Sequence, residues 1–157
     1  MISLEPIGII HSPFKAIANM PIQPKGAMDI VGEILINLEM ADGLTDLDGF
    51  SHIYLLYHLH QAPATKLRVI PFMDTVERGV FATRSPMRPN HIGLSIVELV
   101  SVKNNVVTIK GVDVLDGTPL LDIKPFIYNF DYVENSKSGW MTGSRDAVKN
   151  KRSHFSD

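Results

Sequence analysis

An arginine-rich segment is the part of the sequence best equipped to bind an anion. Residues 78–97 contain Arg78, Arg84 and Arg88 and no carboxylate. Arginine presents a planar fork that binds a carboxylate or a phosphate through two parallel hydrogen bonds. Two prolines stiffen the segment, so the forks can be held in place before a ligand arrives. The segment predicts a ligand-binding loop, and a stiff surface loop with solvated arginines is the alternative.

A second polar cluster occupies residues 113–125. It contains Asp113, Asp116, Thr118, Asp122 and Lys124. The Asp116-Gly117 pair is a turn signal. Asp122 and Lys124 are two residues apart, which puts both side chains on one face of a strand. The cluster predicts a polar rim around a pocket, and a hairpin turn selected for its backbone is the alternative.

Histidines mark a third segment, HLHQ at residues 58–61. On a strand, His58 and His60 would point the same way, but a metal site would need a third ligand, and His52 lies too far along. We therefore expect His60 and Gln61 to hydrogen-bond a ligand, with a histidine that caps a buried strand end as the alternative. A metal-dependent hydrolase built on these three histidines stays open as a competing function.

The composition excludes several classes of protein. With 157 residues, 45% hydrophobic and 20% charged, the chain predicts a single globular domain. The longest apolar run, residues 53–57, is far short of the roughly 20 residues that a membrane span needs. The absence of cysteine rules out disulfides, thiolate metal sites and cysteine nucleophiles. No two glycines are separated by one residue, which excludes the dinucleotide-binding fingerprint. We expect a cytoplasmic protein that binds neither membrane nor metal.

These chemical groups must be positioned by strands, because the patterning is mostly extended. Strands are predicted at residues 7–11, 30–38, 51–60, 79–83, 94–102, 106–114 and 120–124. Residues 41–50 predict a helical turn, residues 103–105 a tight hairpin turn and residues 145–151 a short helix. The nearly continuous apolar run at 51–60 predicts a strand buried on both faces. The sum is an all-β fold, a compact single-domain β-barrel or sandwich with short helical turns and long ligand-binding loops. The domain is expected over residues 1–134, followed by a short cationic tail at 135–157.

Five segments in order carry a family resemblance. They are IGIIHSP, MPIQPKG, DLDGFSHIYLLYHLHQ, RGVFATRSPMRPNHIGLS and DVLDGTPLLDIKP. Together they resemble the TsaA-like family of S-adenosylmethionine-dependent tRNA methyltransferases, over about residues 5–130. Members methylate N6 of threonylcarbamoyl-modified adenosine beside the tRNA anticodon. The resemblance implies a compact β-barrel, a bound S-adenosylmethionine and a homodimer.

Residue by residue, the resemblance implies a set of cofactor contacts. They are Pro24, Lys25, Gly26, His60, Gln61, Arg84, Leu94, Asp113, Leu115, Asp116, Gly117 and Thr118. The sequence departs from the family pattern at His91, where proline is usual, and at Phe126, where tyrosine is usual.

The expected reaction assigns roles to some of these residues. Arg84 would bind the cofactor's carboxylate and Asp116 its ribose hydroxyls. The N6–H of the modified adenosine is a poor nucleophile until it is deprotonated, so a general base is expected, with Asp122 and His60 as candidates. Arg88 and Lys124 are expected to contact the anticodon loop of the tRNA. Two other functions stay open: a cofactor-binding regulatory or RNA-binding barrel without tRNA methylation, and methylation of another acceptor.

Overall fold

Eight strands form in the part of the chain that the computed structural model describes, residues 1–16, 28–72 and 74–141. They are β1 (Gly8–His11), β2 (Val31–Ile36), β3 (His52–His58), β4 (Arg68–Val69), β5 (Arg78–Gly79), β6 (Ile92–Lys103), β7 (Val106–Lys110) and β8 (Thr118–Pro125). Three 3₁₀ turns occupy Leu38–Leu44, Leu47–Gly49 and Val80–Ala82, and one short helix, α1, spans Tyr128–Asp131. The predicted helix at 145–151 lies outside the described residues.

Six of the strands close into an antiparallel barrel in the order β1-β2-β7-β6-β3-β8, and β4 and β5 form a separate two-stranded ribbon. The all-β prediction is confirmed, with a barrel rather than a sandwich. The core comes from strict alternation, as in β2, where every second residue is buried. Fully buried aliphatic side chains from five strands meet inside: Ile10, Ile34, Ile53, Leu55, Ile109 and Leu120.

Strand direction gives the barrel two distinct ends. At one end, β1, β3 and β7 finish and β2, β6 and β8 begin, as the pairs Ile10↔Thr118 and His58↔Ile92 show. This end, which we call the arginine-loop end, also receives the segment of residues 83–91, called the arginine loop below. The opposite end carries the hairpin between β6 and β7 and the 3₁₀ turns that precede β3.

Strand β3 corrects two sequence predictions. It is buried on one face only: Ile53, Leu55 and Tyr57 point into the core, and the residues between them are half-buried or exposed. A closed barrel has an inside and an outside, so the apolar outward residues cover the barrel wall rather than a second buried face. The strand also ends at His58, so His60 lies in the following turn and not beside His58 on one strand face.

Two other local predictions, both of turns, are confirmed, and two predictions of strands need correction. The hairpin turn is confirmed, with Asn104 at φ 55°, and the helical turn near residues 41–50 is present as two 3₁₀ turns. The strand predicted at 79–83 is wrong, since a 3₁₀ turn follows Gly79 directly. The strand predicted at 106–114 ends at Lys110, and Gly111 follows at φ 91°, a conformation that β-strand residues do not adopt. No helix among the described residues has the length and apolarity to cross a membrane.

A close approach between β3 and β6 depends on a glycine. Tyr57 pairs with Gly93, and a Cβ added to Gly93 would lie 2.2 Å from Cε2 of the tyrosine ring. Only a residue without a side chain lets this buried ring lie flat over the neighbouring strand. The contact therefore fixes where the phenol of Tyr57 points.

We predict that Gly93→Ala destabilises the protein by about 1–3 kcal/mol, because the new methyl group overpacks the ring of Tyr57. Urea unfolding measures the change in the free energy of unfolding. Gly79→Ala is the matched control, since a Cβ added there would meet nothing within 4 Å and the φ of Gly79 is −63°. Equal stabilities of the two variants would show that the Tyr57 ring moves aside without cost.

Candidate active site at the arginine-loop end

The arginine loop is held by its own hydrogen bonds. The Thr83 hydroxyl donates to the carbonyl oxygen of Val80 at 2.7 Å, and the Ser85 amide donates to the Thr83 hydroxyl at 3.2 Å. Val80 is 1% exposed and anchors the 3₁₀ turn from which the loop starts. The Ser85 hydroxyl in turn accepts the amide of Met87. This bonding gives the loop a defined shape of its own.

Arg88 is one of the residues that hold this loop together. Its Nη1 donates to the carbonyl oxygens of Thr83 at 2.8 Å and of Ser85 at 3.3 Å. The guanidinium group has five N–H donors, so these bonds leave donors for a further partner. Its expected contact with RNA stays a prediction, to which the structure adds a role in shaping the loop.

His91 closes the loop at its far end. Its Nδ1–H donates to the carbonyl oxygen of Pro86 at 2.8 Å, and its Nε2 lies 3.2 Å from the hydroxyl of Thr65. Its φ of 49° is out of reach for proline, whose ring fixes φ near −65°. His91 thus ties the loop to the segment before β4 in a way that proline could not.

The turn between β7 and β8 brings Asp116 to the same end of the barrel. Its Oδ2 pairs with Nζ of Lys15 at 2.7 Å, and its Oδ1 accepts the Ser12 amide and lies 3.1 Å from Nδ1 of His11. The bond from Lys15, with those from Ser12 and His11, lowers the pKa of this carboxyl to about 2. Asp116 is therefore ionised near neutral pH and ties the chain after β1 to the turn.

The rest of this turn is internally bonded. The hydroxyl of Thr118, a buried residue, donates to the carbonyl oxygen of Leu115 at 2.6 Å. Gly117 sits at φ 84°, a left-handed conformation that favours glycine, so the predicted turn signal is confirmed. Leu115 is 9% exposed. The predicted cofactor contacts of Thr118 and Leu115 would thus come from the backbone or from the edges of buried side chains.

A buried chain of hydrogen bonds links the barrel interior to this turn. Ser95, which is 2% exposed, donates through Oγ to Oδ1 of Asp113 at 2.8 Å. The hydroxyl of Tyr57 lies 2.7 Å from the same Oγ. Since the single proton of Ser95 goes to Asp113, Tyr57 donates to Ser95. The order is Tyr57 to Ser95 to Asp113.

Burial dominates the electrostatics of this chain. Desolvation raises the pKa of Asp113 to about 7, against the opposing effects of the Ser95 hydrogen bond, its own backbone amide and the charge of Arg84. Desolvation and the neighbouring Asp113 also raise the pKa of Tyr57, so the phenol stays protonated. Among the described carboxyls at this end, Asp113 is therefore the one whose charge can change near neutral pH. Arg84 is the cation whose charge lowers the pKa of Asp113.

Two of the predicted site residues, Leu94 and Asp122, lie in one row across the outer wall of the barrel, with Leu56 between them. Leu94 on β6 pairs with Leu56 on β3, which pairs on its other side with Asp122 on β8. The next row contains Ile96, Tyr54 and Lys124. Nζ of Lys124 lies 3.3 Å from Oδ2 of Asp122, so their predicted shared face is confirmed. Asp122 is thus two strands from Leu94 on the outer wall, roughly 10 Å at ~4.8 Å per strand, and not in the Arg84–Asp113 cluster.

The histidine segment joins the arginine loop but shows no metal site. Leu59 donates its amide to the carbonyl oxygen of His91, which places the turn with His60 and Gln61 against the loop. His52 and His58 begin and end β3, roughly 20 Å apart at ~3.3 Å per residue. Within the described ranges, no three histidines or carboxylates lie close enough to hold a metal ion.

A separate cavity of about 390 Å³ lies at the opposite end of the barrel. Its walls are mainly apolar and include Met40, Leu47, Phe50 and Ile123, with Asp122 at its border. None of its lining residues is arginine, lysine or histidine, so it lacks the cationic side chains that would attract an anionic group. The arginine-loop end is the candidate active site, because the charged groups and the stiff loop are there.

Comparison with known proteins matches this barrel to a family. Residues 9–132 match the family model described as the tRNA-methyltransferase O N-terminal domain. The chain belongs to the tRNA-methyltransferase O family. The matched range contains the arginine loop, the Asp113–Thr118 turn and the outer row of Leu94, Leu56 and Asp122, so the family resemblance seen in the sequence is confirmed.

Relatives in this family include proteins of known structure. A protein of Pyrococcus abyssi named "Probable S-adenosyl-L-methionine-binding protein" is 52% identical over 141 residues, which are 90% of this chain and 77% of the relative. The mouse tRNA (adenine(37)-N6)-methyltransferase is 38% identical over 83% of this chain and 32% of its own length. The crystal structure of TrmO from Pseudomonas aeruginosa superposes with a TM-score of 0.75 at 35% identity, over 89% of this chain and 62% of that chain. The chain thus spans less than two thirds of the last two proteins.

The chain after α1 returns to the arginine loop. In the predicted tail, Trp140 donates its indole N–H to the carbonyl oxygen of Ala82 at 2.7 Å and lies 5.6 Å from the guanidinium of Arg78. Residues beyond 134 thus contact the turn that starts the loop, and the domain boundary at 134 stays a prediction. Another predicted part of the site, the cofactor contacts expected by resemblance from Pro24, Lys25 and Gly26, lies outside the described residues.

Sequence reasoning did not single out Tyr57 or Ser95. Ser95 occupies an inward position of β6 between buried Gly93 and Val97. A lone hydroxyl on an otherwise apolar inward face needs a partner, and that signal was available from the alternation. Tyr57 was hidden inside an apolar run, and only the paired strands show that its phenol faces Ser95.

We predict that the free energy of unfolding decreases as the pH rises from about 4 to about 7, because of Asp113. The unfolded carboxyl ionises near pH 4 and the folded one near pH 7, so in this window the folded state binds the extra proton and loses stability as the pH rises. One proton gives a slope of at most about 1.4 kcal/mol per pH unit.

Urea unfolding at a series of pH values measures this slope for the wild type and for Asp113→Asn, which should lack it. Asp131→Asn is the control, since it removes an acid in α1 at the opposite end. Parallel stability curves for the wild type and Asp113→Asn would contradict the prediction.

Proposed function

We propose that this protein is an S-adenosylmethionine-dependent tRNA (adenine-N6)-methyltransferase whose acceptor is threonylcarbamoyladenosine beside the anticodon. The observation that carries the proposal is the arginine-loop end, where Arg84 and Asp113 lie together inside the region that matches the family. The relatives named for S-adenosylmethionine binding and for tRNA methylation support it.

The side chains at this end suit the cofactor chemically. Arg84 would bind its carboxylate, Asp113 would balance a positive charge, and Asp116 would accept hydrogen bonds from the ribose hydroxyls. Leu94, 43% exposed on the outer wall, offers an apolar contact. When bound, S-adenosylmethionine supplies an electrophilic methyl group on a sulfonium. The protein's contribution to rate is then largely to hold donor and acceptor in line.

The acceptor nitrogen must lose a proton, and two residues remain candidates for the base. His60 lies in the turn beside the arginine loop, and histidine is the side chain that most often serves as a general base. Asp122 lies on the outer wall in the same row as Leu94. His60 is the better placed of the two, because its turn is bonded directly to the arginine loop.

The RNA would lie along the outer wall, from Arg88 in the arginine loop toward Lys124 near the far end of β8. Arg88 retains free donors beyond its loop bonds, and Lys124 is 65% exposed on the outer wall. An anticodon loop is single-stranded, so its bases are open to a protein without disruption of a helix. Because the proposed substrate is a tRNA, we expect the protein to act in the cytoplasm.

We expect Arg84→Ala to weaken S-adenosylmethionine binding by roughly 1.5–3 kcal/mol, because a charge-assisted contact to the cofactor is lost. Calorimetry measures the dissociation constant. Arg68→Ala is the control, since this exposed arginine pairs with Glu77 on the ribbon and is not part of the site. Equal affinities for the two variants would remove Arg84 from the site.

The function itself is tested by incubating the purified protein with S-adenosylmethionine and unmethylated tRNA that carries threonylcarbamoyladenosine. Mass spectrometry of the nucleosides should show the N6-methylated form. Cofactor binding without any methylated nucleoside would favour a regulatory barrel, and methylation of a different nucleoside would identify another acceptor.

We also propose that the protein is a homodimer formed through the outer wall of β3 and β6. Ile92, Leu94 and Ile96 on β6 are 37–43% exposed and form an apolar stripe, which the outward-facing Glu98 separates from Val100. The neighbouring Asp122–Lys124 pair offers opposite charges in adjacent rows, so a two-fold arrangement can pair each with the other copy. Leu94 belongs to this stripe, which puts the interface next to the proposed cofactor site.

Ile96→Glu should convert the dimer to a monomer, because the charge would be buried against the partner's apolar stripe. Light scattering at micromolar concentration measures the mass. Val31→Glu is the control, since Val31 is 52% exposed on β2, across the barrel from β3. A wild-type monomer would refute the dimer, and a dimer that survives Ile96→Glu would place the interface elsewhere.

A further inference from the structure

The hydrogen-bond chain from Tyr57 through Ser95 to Asp113 has no assigned role in the reaction. It starts in the barrel core, where Tyr57 is 5% exposed and Gly93 clears space for its ring. It ends on a carboxyl at the arginine-loop end. A barrel core does not need a buried tyrosine and serine aligned on an acid, since aliphatic side chains would fill the same volume without unsatisfied groups.

We propose that Tyr57 and Ser95 are positioning residues that hold Asp113 as a negative counter-charge to the sulfonium. The site thereby distinguishes the methyl donor from its demethylated product, which lacks the sulfonium charge. The inference rests on the proposed cofactor. S-adenosylmethionine carries one more positive charge than S-adenosylhomocysteine, and the difference lies at the sulfur. An ionised Asp113 favours the donor, and a protonated Asp113 removes that preference.

The charges around Asp113 make this balance possible. Tyr57 from β3 is neutral, Ser95 from β6 is uncharged, and Arg84 from the arginine loop is the cation that lowers the pKa of Asp113. Within the turn, Asp116 is occupied by Lys15, His11 and Ser12 and contributes no free charge. If Arg84 binds the ligand's carboxylate, the desolvated carboxyl of Asp113 needs another cation nearby to stay ionised. The sulfonium of the methyl donor is that cation.

The hydrogen bonds set how readily Asp113 ionises. A bond donated by Ser95 to the carboxylate favours the charged form, and a bond donated by Tyr57 to Ser95 polarises that hydroxyl and strengthens it. After the methyl group passes from sulfur to nitrogen and the acceptor's proton leaves to solvent, the ligand has lost its extra charge. Asp113 then takes up a proton. In this neutral form it neither weakens nor strengthens the binding of the demethylated product.

Calorimetry with S-adenosylmethionine and S-adenosylhomocysteine from pH 5.5 to 8.5 tests the proposal without any turnover. The preference for the donor should rise by about tenfold or more over this range, as one carboxyl ionises, and then level off. Asp113→Asn should make the preference independent of pH. Ser95→Ala should move the midpoint to higher pH, and Tyr57→Phe, which keeps the ring over Gly93, should move it in the same direction by less.

Ser101→Ala is the matched control, because it makes the same substitution on β6 away from the arginine-loop end and should leave the midpoint unchanged. The carboxyl ¹³C shift of Asp113, followed by NMR through a pH titration of the free protein, gives its pKa in each variant. The proposal is overturned if both ligands bind with a preference that does not change with pH, or if Ser95→Ala leaves the midpoint in place. If neither ligand binds the folded protein at any pH, the proposed cofactor fails as well.

Discussion

Closure of the barrel by β1 is the constraint on which the site depends. This four-residue strand, the first of the barrel, pairs with β2 on one side. On its other side it pairs with the last strand, β8, and so closes the sheet. The closure sets His11, Ser12 and Lys15 beside the turn that follows β7, where Asp116 binds all three. Residues about a hundred positions apart thereby share one end of the barrel. Without that pairing, the β7–β8 turn would lose the carboxylate bonds that hold it against the segment after β1.

The same end collects two different kinds of carboxyl. Asp116 is surrounded by donors and stays ionised, so it acts as a fixed structural charge. Asp113 is desolvated, has one hydroxyl donor and one nearby cation, and changes charge near neutral pH. The pKa values of these two acids, three residues apart, are thus shifted in opposite directions by their surroundings. Asp116 holds the shape of the turn, and Asp113 can change its charge.

Local patterns predicted much of this fold. The alternation in β2, the asparagine turn before β7 and the glycine turn before β8 are encoded by neighbouring residues, and each was predicted from them. The burial of β3 was not, because its outward tyrosine and leucine read as core until closure of the sheet defines an outside. The arginine loop was predicted from its arginines and prolines, but the role of Arg88 in shaping it depends on carbonyl groups that only the folded loop turns inward. The Tyr57–Ser95–Asp113 chain joins three segments that no local pattern connects.

We expect the cofactor to bind at the arginine-loop end, and not in the cavity beneath the 3₁₀ turns. Backbone NMR of the labelled protein during titration with S-adenosylmethionine tests it directly, since the two ends carry separate sets of amides. We expect saturable shifts at His60, Arg84, Leu94 and Asp113, with Met40, Leu47 and Phe50 unchanged. Shifts confined to Met40, Leu47 and Phe50 would contradict it and would move the site to the opposite end of the barrel.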